Sequence, residues 1–381
     1  MEFVRVREGD TLAKIAEEHR LPPALFAAVN GIGEGEKLIT GEDLLLPMPT
    51  KLYRIGRRER PADVAVGCGV CTEDLCRANP GCSFARGELV AGNYAARREG
   101  CAVLGYVYPG CTEEALTAAL PYLTYVALGT VLCRGGNLRR LFDDERAVRA
   151  LRRRKKSPLL RVFCDGVDAL AERERAALAD ALMLEAVTHG YDGVILPEKS
   201  ALFPLLCERA ASCELAVIGE GTLCEEGSRT ENTACTDPRI PAGKPAAPAE
   251  ENMPCSAALR VLSPDLRQPR SDAACTTLFA AAENAGVPWL LDLPPFAYGE
   301  GGVLSFSELR ALPTDDFWVE EDGLYDAFCY RTGEGGIRRL HTLSKAGFAN
   351  WITCALHAGC RGVALDVGRS PGWMFFLSAF C

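Results

Sequence analysis

Val4-Arg-Val-Arg-Glu-Gly-Asp-Thr-Leu12 opens the most ordered pattern in the chain, and Ile15-Ala16, Leu21, Phe26, Asn30-Gly31, Gly41 and Leu44-Leu45-Leu46-Pro47 complete it. Val4 and Val6 alternate with Arg5 and Arg7, which predicts a half-buried strand. Gly9-Asp10-Thr11 supplies a turn and then an oxygen, from Asp10 or Thr11, to accept from the free N–H groups of a following helix. Leu12, Ile15 and Ala16 give that helix one apolar stripe. A second short helix is expected over 23–29, with Leu25, Phe26 and Val29 inward, before Gly41 turns the chain into a strand at 44–46. The unit is strand–helix–helix–strand, roughly 45 residues, near the size at which a core becomes marginal. Residues 51–93 repeat it in weakened form. Tyr53 stands for Val4, Ile55 for Val6, Val64-Ala65 for Ile15-Ala16, Val70 for Leu21, Leu75 for Phe26 and Asn79 for Asn30, all at one constant offset. Such internal repetition means two copies of one small module.

Beyond about residue 100 the texture changes. Apolar strand-like runs at 101–108, 123–132, 159–165, 190–196, 215–220, 258–263, 289–293 and 361–367 alternate with helical stretches at 113–119, 144–154, 170–188, 201–211, 271–285 and 343–358. Eight continuous apolar strands with intervening helices predict an α/β fold, a (β/α)8 TIM-type barrel. An open doubly wound sheet is the alternative, although no Gly-rich phosphate loop opens any of the helices. The expected layout is a first module at 1–49, a second, degenerate one at 50–94 and the barrel at 100–381. Residues 225–256, rich in Pro, Ala, Thr and Glu, read as a mobile excursion, and 296–340 as an inserted element.

Composition bounds the function. The 381 residues include 48% hydrophobic and 24% charged, an ordinary globular balance, with a net charge of −9 that speaks against nucleic acid. The one basic run, Arg152 to Lys156, falls at a helix end, where cations complement the helix dipole. No apolar stretch reaches the ~18 residues that span a bilayer, and no signal peptide is expected, because Met1 leads straight into the first strand. The 18 cysteines are spread from Cys68 to Cys381. Cys68, Cys71, Cys76 and Cys82 form their one dense group. Zinc, a disulfide, plain packing and later cross-linking are the alternatives there. The four histidines, His19, His189, His341 and His357, have no mutual ligand spacing, so neither a metal nor a cofactor is expected.

The 4–47 pattern resembles the LysM module. That resemblance implies binding of glycans containing N-acetylglucosamine, such as peptidoglycan or a chitin-like polymer, in a groove between two loops. The matching positions are Gly9, Asp10, Thr11 and Leu12 on one side and Asn30, Gly31 and Ile32 on the other. The second copy carries Arg58-Glu59-Arg60 where the first has Gly9-Asp10-Thr11, so sugar binding is expected of the first copy.

With tandem modules ahead of it, the barrel resembles the LysM-bearing branch of glycoside hydrolase family 18, known from spore peptidoglycan lytic enzymes. Gly105-Tyr-Val-Tyr108, Leu123-Thr-Tyr-Val126, Tyr191-Asp-Gly-Val194, Leu343-Ser-Lys345, Gly359-Cys-Arg-Gly-Val363 and Pro371-Gly-Trp373 carry the likeness. The resemblance implies substrate-assisted hydrolysis, with the sugar's acetamide as nucleophile and a carboxylic acid on the fourth strand. It also implies a spore coat or cortex protein made in the mother-cell cytoplasm; a cytoplasmic protein is the alternative. A separate reading of the cysteines is disulfide cross-linking in a spore layer.

The fourth strand departs from the family pattern. It reads Asp192-Gly-Val-Ile-Leu-Pro-Glu198-Lys199, so Asp192 fills the first acidic position, Ile195 and Pro197 the next two, and Lys199 the acid's own place. Glu198 comes one residue early, and a one-residue slip reverses the face a strand side chain occupies unless a bulge intervenes. Leu262-Ser263-Pro264-Asp265 lacks the acetamide-holding Tyr, and Asp366 replaces the floor Trp. The expectation is a glycan-binding protein whose barrel has lost catalysis. The alternative is an active N-acetylglucosaminidase with Glu198 as general acid and Asp192 and Asp265 beside it.

Overall fold

The computed structural model describes residues 2–33, 35–47, 49–56, 59–79, 82–94, 101–108, 111–223, 259–264, 272–284, 286–293, 296–299, 302–312, 317–322, 325–332 and 335–368. The 225–256 excursion, Asp265 and Pro371-Gly-Trp373 lie outside them.

The first module runs β1 (Glu2–Arg5), α1 (Leu12–Glu18), α2 (Pro23–Val29) and β2 (Asp43–Leu46), with β1 and β2 antiparallel. Val6, Ile15, Ala16, Leu21, Phe26, Ile32, Leu44 and Leu46 form its own core. The second module repeats the order as β3 (Pro49–Arg54), α3 (Pro61–Cys68), α4 (Thr72–Ala78) and β4 (Leu89–Tyr94), with β3 antiparallel to β4. Its core, around Ile55, Val64, Ala65, Leu75 and Val90, is smaller.

Eight parallel strands then close into a barrel: β5 (Ala102–Val107), β6 (Tyr125–Arg134), β8 (Ser157–Asp165), β9 (Gly193–Pro197), β10 (Ala216–Leu223), β11 (Leu259–Pro264), β12 (Trp289–Asp292) and β18 (Gly362–Asp366). The ladder runs β5-β18-β12-β11-β10-β9-β8-β6, and β6 pairs back to β5. All eight are the apolar runs expected from sequence. The short strand β7 (Asn137–Arg140) makes a hairpin with the end of β6. The surrounding helices are α5 (Glu113–Ala119), α6 (Glu145–Arg153), α7 (Glu172–His189), α8 (Phe203–Cys213), α9 (Asp272–Asn284) and α11 (Lys345–His357). Alternation along the strands sorts two cores. Leu104, Tyr106, Ala127, Leu159, Ile195, Ile218, Val261, Leu290 and Ala364 fill the barrel, while the opposite strand faces meet the helices.

The insertion is a five-stranded antiparallel sheet with a short helix. It is built from β13 (Phe296–Gly299), β14 (Gly302–Ser305), α10 (Phe306–Arg310), β15 (Phe317–Asp322), β16 (Tyr325–Arg331) and β17 (Ile337–Leu343), in sheet order β14-β13-β17-β16-β15. The first module packs on it. Leu25, Val29, Ile39 and Leu45 share one apolar cluster with Phe328, Leu340 and Phe348.

Candidate functional site

The sequence expectations concern two places: the loops of the first module and the C-terminal mouth of the barrel. In the first module the β1–α1 loop is held by its own side chains. Thr11 accepts the Lys14 N–H at 3.2 Å as the cap of α1, and Asp10 accepts the Arg7 N–H at 2.9 Å. Lys14 Nζ donates to the other Asp10 oxygen at 2.9 Å, and that bond, ahead of the Arg7 N–H, holds the Asp10 carboxyl below its usual range. Gly9 takes φ +79°, which a side chain would strain. This loop is therefore shaped before any ligand arrives.

The facing loop differs from the expectation. Asn30 is buried and committed within the fold: Nδ2 donates to the Phe26 and Leu45 carbonyls at 2.9 and 3.0 Å, and Oδ1 accepts the Leu45 N–H at 2.7 Å. Ile32 is buried in the module core. Neither side chain is presented as a sugar contact, because the module needs both to join α2 to β2. Asn79 makes the same three bonds in the second copy, to the Leu75 and Ala91 carbonyls and from the Ala91 N–H. Gly31, at φ +65°, accepts from Arg310 Nη1 at 3.4 Å.

At the barrel, Asp192 and Glu198, two of the three carboxylates expected to form a catalytic group, do not come together. Asp192 precedes β9 and so lies at the N-terminal end of that strand, opposite the mouth. It is held there by Arg152 Nη2 at 3.1 Å, and burial raises its pKa. Glu198 follows Leu196 by two residues and shares its outward face. Arg260 grips both its oxygens there, with Nη2–Oε2 at 2.7 Å. Gly219 and Gly221 make room for it on β10: a Cβ on Gly219 would collide with Glu198 Cγ. No bulge corrects the one-residue slip between Leu196 and Pro197, whose partners on β10 run in step. Asp265 lies outside the described residues. Glu198 as the general acid of the mouth is thus corrected: it is an ion-pair partner on the outer face of the barrel.

The mouth itself is built from residues in phase with the inner core. Tyr106 lies near the end of β5 and Tyr108 just beyond it, Arg161 sits two residues after Leu159, Glu220 two after Ile218, Ser263 two after Val261, Asp292 two after Leu290 and Asp366 two after Ala364. The Arg161 guanidinium carbon lies 4.4 Å from the Tyr106 ring centroid, 4.9 Å from Tyr108 and 5.4 Å from Phe163. Its Nη2 is 2.9 Å from Glu220 Oε1, and its Nη1 donates to the Tyr108 hydroxyl. Burial, with Glu220 adding to it, pushes the Tyr106 hydroxyl well above the ordinary tyrosine range. Ser263 donates to Asp292 at 2.7 Å, and burial lifts the Asp292 carboxyl to about 6 against that bond. Sequence reading missed Arg161 and Asp292. Their signal was phase: each is a charge at an inward position of an otherwise apolar strand. Among the described residues no cluster has the composition of a metal site.

These features define a class: a small βααβ module set against a closed (β/α)8 barrel. The LysM domain family model matches residues 4–47. No curated protein matches the chain's sequence significantly. Among solved structures, the chain is similar to the spore cortex-lytic enzyme SleL of Bacillus megaterium QM B1551. The TM-score is 0.65 at 12% identity, over 100% of this chain and 98% of that one. SleL of Bacillus cereus is similar at TM-score 0.62 and 13% identity, with the same coverage. A glycoside hydrolase family 18 N-acetylglucosaminidase from Paenibacillus barengoltzii matches at TM-score 0.50 and 13% identity, over 73% of this chain and 99% of its own. The chain thus joins a segment that matches the LysM domain family to a closed (β/α)8 barrel.

Proposed function

We propose that the protein binds N-acetylglucosamine-containing wall glycan through its first module, and that its barrel no longer hydrolyses glycan by the family 18 route. The observation that carries the binding half is the preformed Gly9–Leu12 loop inside the segment that matches the LysM family. Two observations support the loss of hydrolysis. Arg161 covers the aromatic faces on which a sugar would stack and neutralises Glu220 from inside the barrel. Lys199 stands at the acid's place while Glu198 faces outward. General acid catalysis is worth roughly a hundred- to ten-thousand-fold in rate, so its loss alone would silence the reaction. The likeness to the SleL structures favours spore cortex as the wall concerned. Disulfide cross-linking in a spore layer is a further part of this reading, resting on thiols such as the exposed Cys71.

Amide chemical-shift mapping tests the binding site. Titration with the N-acetylglucosamine tetramer should move the amides of residues 9–12 and 31–33 and leave the barrel-mouth strands in place. Shifts confined to the barrel mouth, or none at saturating sugar, would reject the reading.

A further inference from the structure

The contact between the first module and the barrel insertion is ionic and buried, which sets it apart from a loose tether. Arg310, at the end of α10, has a side chain only 1% exposed. Its guanidinium reaches Glu42 at 2.8 Å, Glu36 at 3.6 Å and the Gly31 carbonyl at 3.4 Å. Lys345, the first residue of α11, is buried and donates from Nζ to Asn30 Oδ1 at 2.8 Å. On the far side of the cluster Arg5 bridges Asp43, at 3.4 Å, and Asp326 on β16, at 3.2 Å. Asn30, Gly31, Glu36 and Glu42, which these two cations reach, lie between residues 30 and 42, from the end of α2 to the start of β2.

Burying an ammonium is costly unless its hydrogen bonds and counter-charges are supplied in place. Burial pushes Lys345 down to about 7 against the pull of Glu42. The barrel thus spends two buried cations on one loop of the small module. A purely apolar contact through Leu25, Val29 and Leu45, also present, would join the two bodies without them. What the cations add is direction: a hydrogen-bonded carbonyl and a hydrogen-bonded amide fix how residues 30–32 stand opposite the Gly9–Leu12 loop.

We propose that Arg310 and Lys345 are positioning residues of the first module's glycan groove, acting through the Gly31 carbonyl and the Asn30 side chain. The inference rests on the glycan-binding reading above and adds to it that the barrel and its insertion set the affinity. The small module alone would then bind more weakly than the whole chain.

Calorimetric titration of the full chain with the N-acetylglucosamine tetramer tests this, because it separates the binding-competent fraction from the dissociation constant. Lys345→Met and Arg310→Lys are each expected to weaken Kd about fivefold or more with the competent fraction retained, and Lys345→Arg to recover part of the loss. A variant that lowers only the competent fraction, with Kd unchanged, would show a merely structural contact and overturn the proposal. Should Lys345→Met yield no folded protein, Arg310→Lys, which keeps a cation against Glu42, carries the same test. Failure of the wild-type chain to bind the tetramer sinks the glycan reading itself, a result distinct from wild-type binding that these substitutions leave unchanged.

Discussion

Arg161 lies with its guanidinium over Tyr106 and Tyr108 and its edge on Glu220, inside a ring of parallel strands. The pair is at least four-fifths buried on both sides, so removing one partner should cost about 3–5 kcal/mol. Arg161→Met is therefore expected to lower the urea midpoint strongly at pH 7. A midpoint that does not move would mean that the ion pair adds nothing to stability. Glu198→Gln, by contrast, breaks an outer-face pair with Arg260. It should cost about 1–3 kcal/mol of stability and change nothing in glycan binding, which retention on peptidoglycan can check. The mouth was only partly legible in the sequence. The departures at Ile195, Pro197 and Lys199 could be read directly, because a motif fixes their spacing. Arg161 could not, because an isolated arginine in Leu159-Leu160-Arg161-Val162-Phe163 declares no partner until β8 and β10 are brought to the same barrel interior.

Within the first module, single side chains tie elements together. Thr11 caps α1. Thr11→Ala should cost about 1 kcal/mol, seen as a lower thermal midpoint, and should also slacken the Gly9–Leu12 loop. Asn30 joins the end of α2 to the middle of β2. Asn30→Ala would leave the Leu45 N–H and two carbonyls without partners, at about 1–3 kcal/mol for each unsatisfied buried group. Asn79→Ala should be similarly costly to the second module, and hydrogen exchange of each module would separate the two effects. The repeat itself held this information. The second copy discards the Gly9-Asp10-Thr11 turn yet keeps an asparagine at the position of Asn30. A residue retained where the groove is lost belongs to the fold rather than to the ligand. The helices and strands of both modules, and all eight barrel strands, were legible because their apolar periods are strong. The five-stranded insertion was legible only as an interruption, because short strands carrying Gly, acidic and aromatic residues lack a clean alternation.

At the scale of the whole molecule, the ionic cluster between module and insertion makes stability depend on pH in a definite sense. Asp326 is raised by burial, with Asp43 adding to it and Arg5 opposing, from 3.8 to about 7. Between those values the folded state holds a proton that the unfolded chain has lost, so stability falls as pH rises. Lys345 is lowered by burial from 10.5 to about 7. Between about 7 and 10.5 the unfolded chain holds the extra proton, so stability rises with pH. The two trends meet in a trough near neutrality. Denaturant midpoints across pH 4–10 should trace it, and the pair Asp326→Asn with Lys345→Met should flatten it. A wild-type profile that peaks at pH 7 would contradict this account of the interface.

Binding and the absence of hydrolysis can be read in one experiment. The full chain is incubated with insoluble peptidoglycan, with and without soluble N-acetylglucosamine tetramer. Protein in the pellet and reducing ends in the supernatant are then measured over a range of pH. The protein should be retained, the tetramer should compete it off, and in the tube without tetramer reducing ends should stay at the level of the untreated wall. Steady release of reducing ends, or protein left in the supernatant at every pH, would contradict the proposed function.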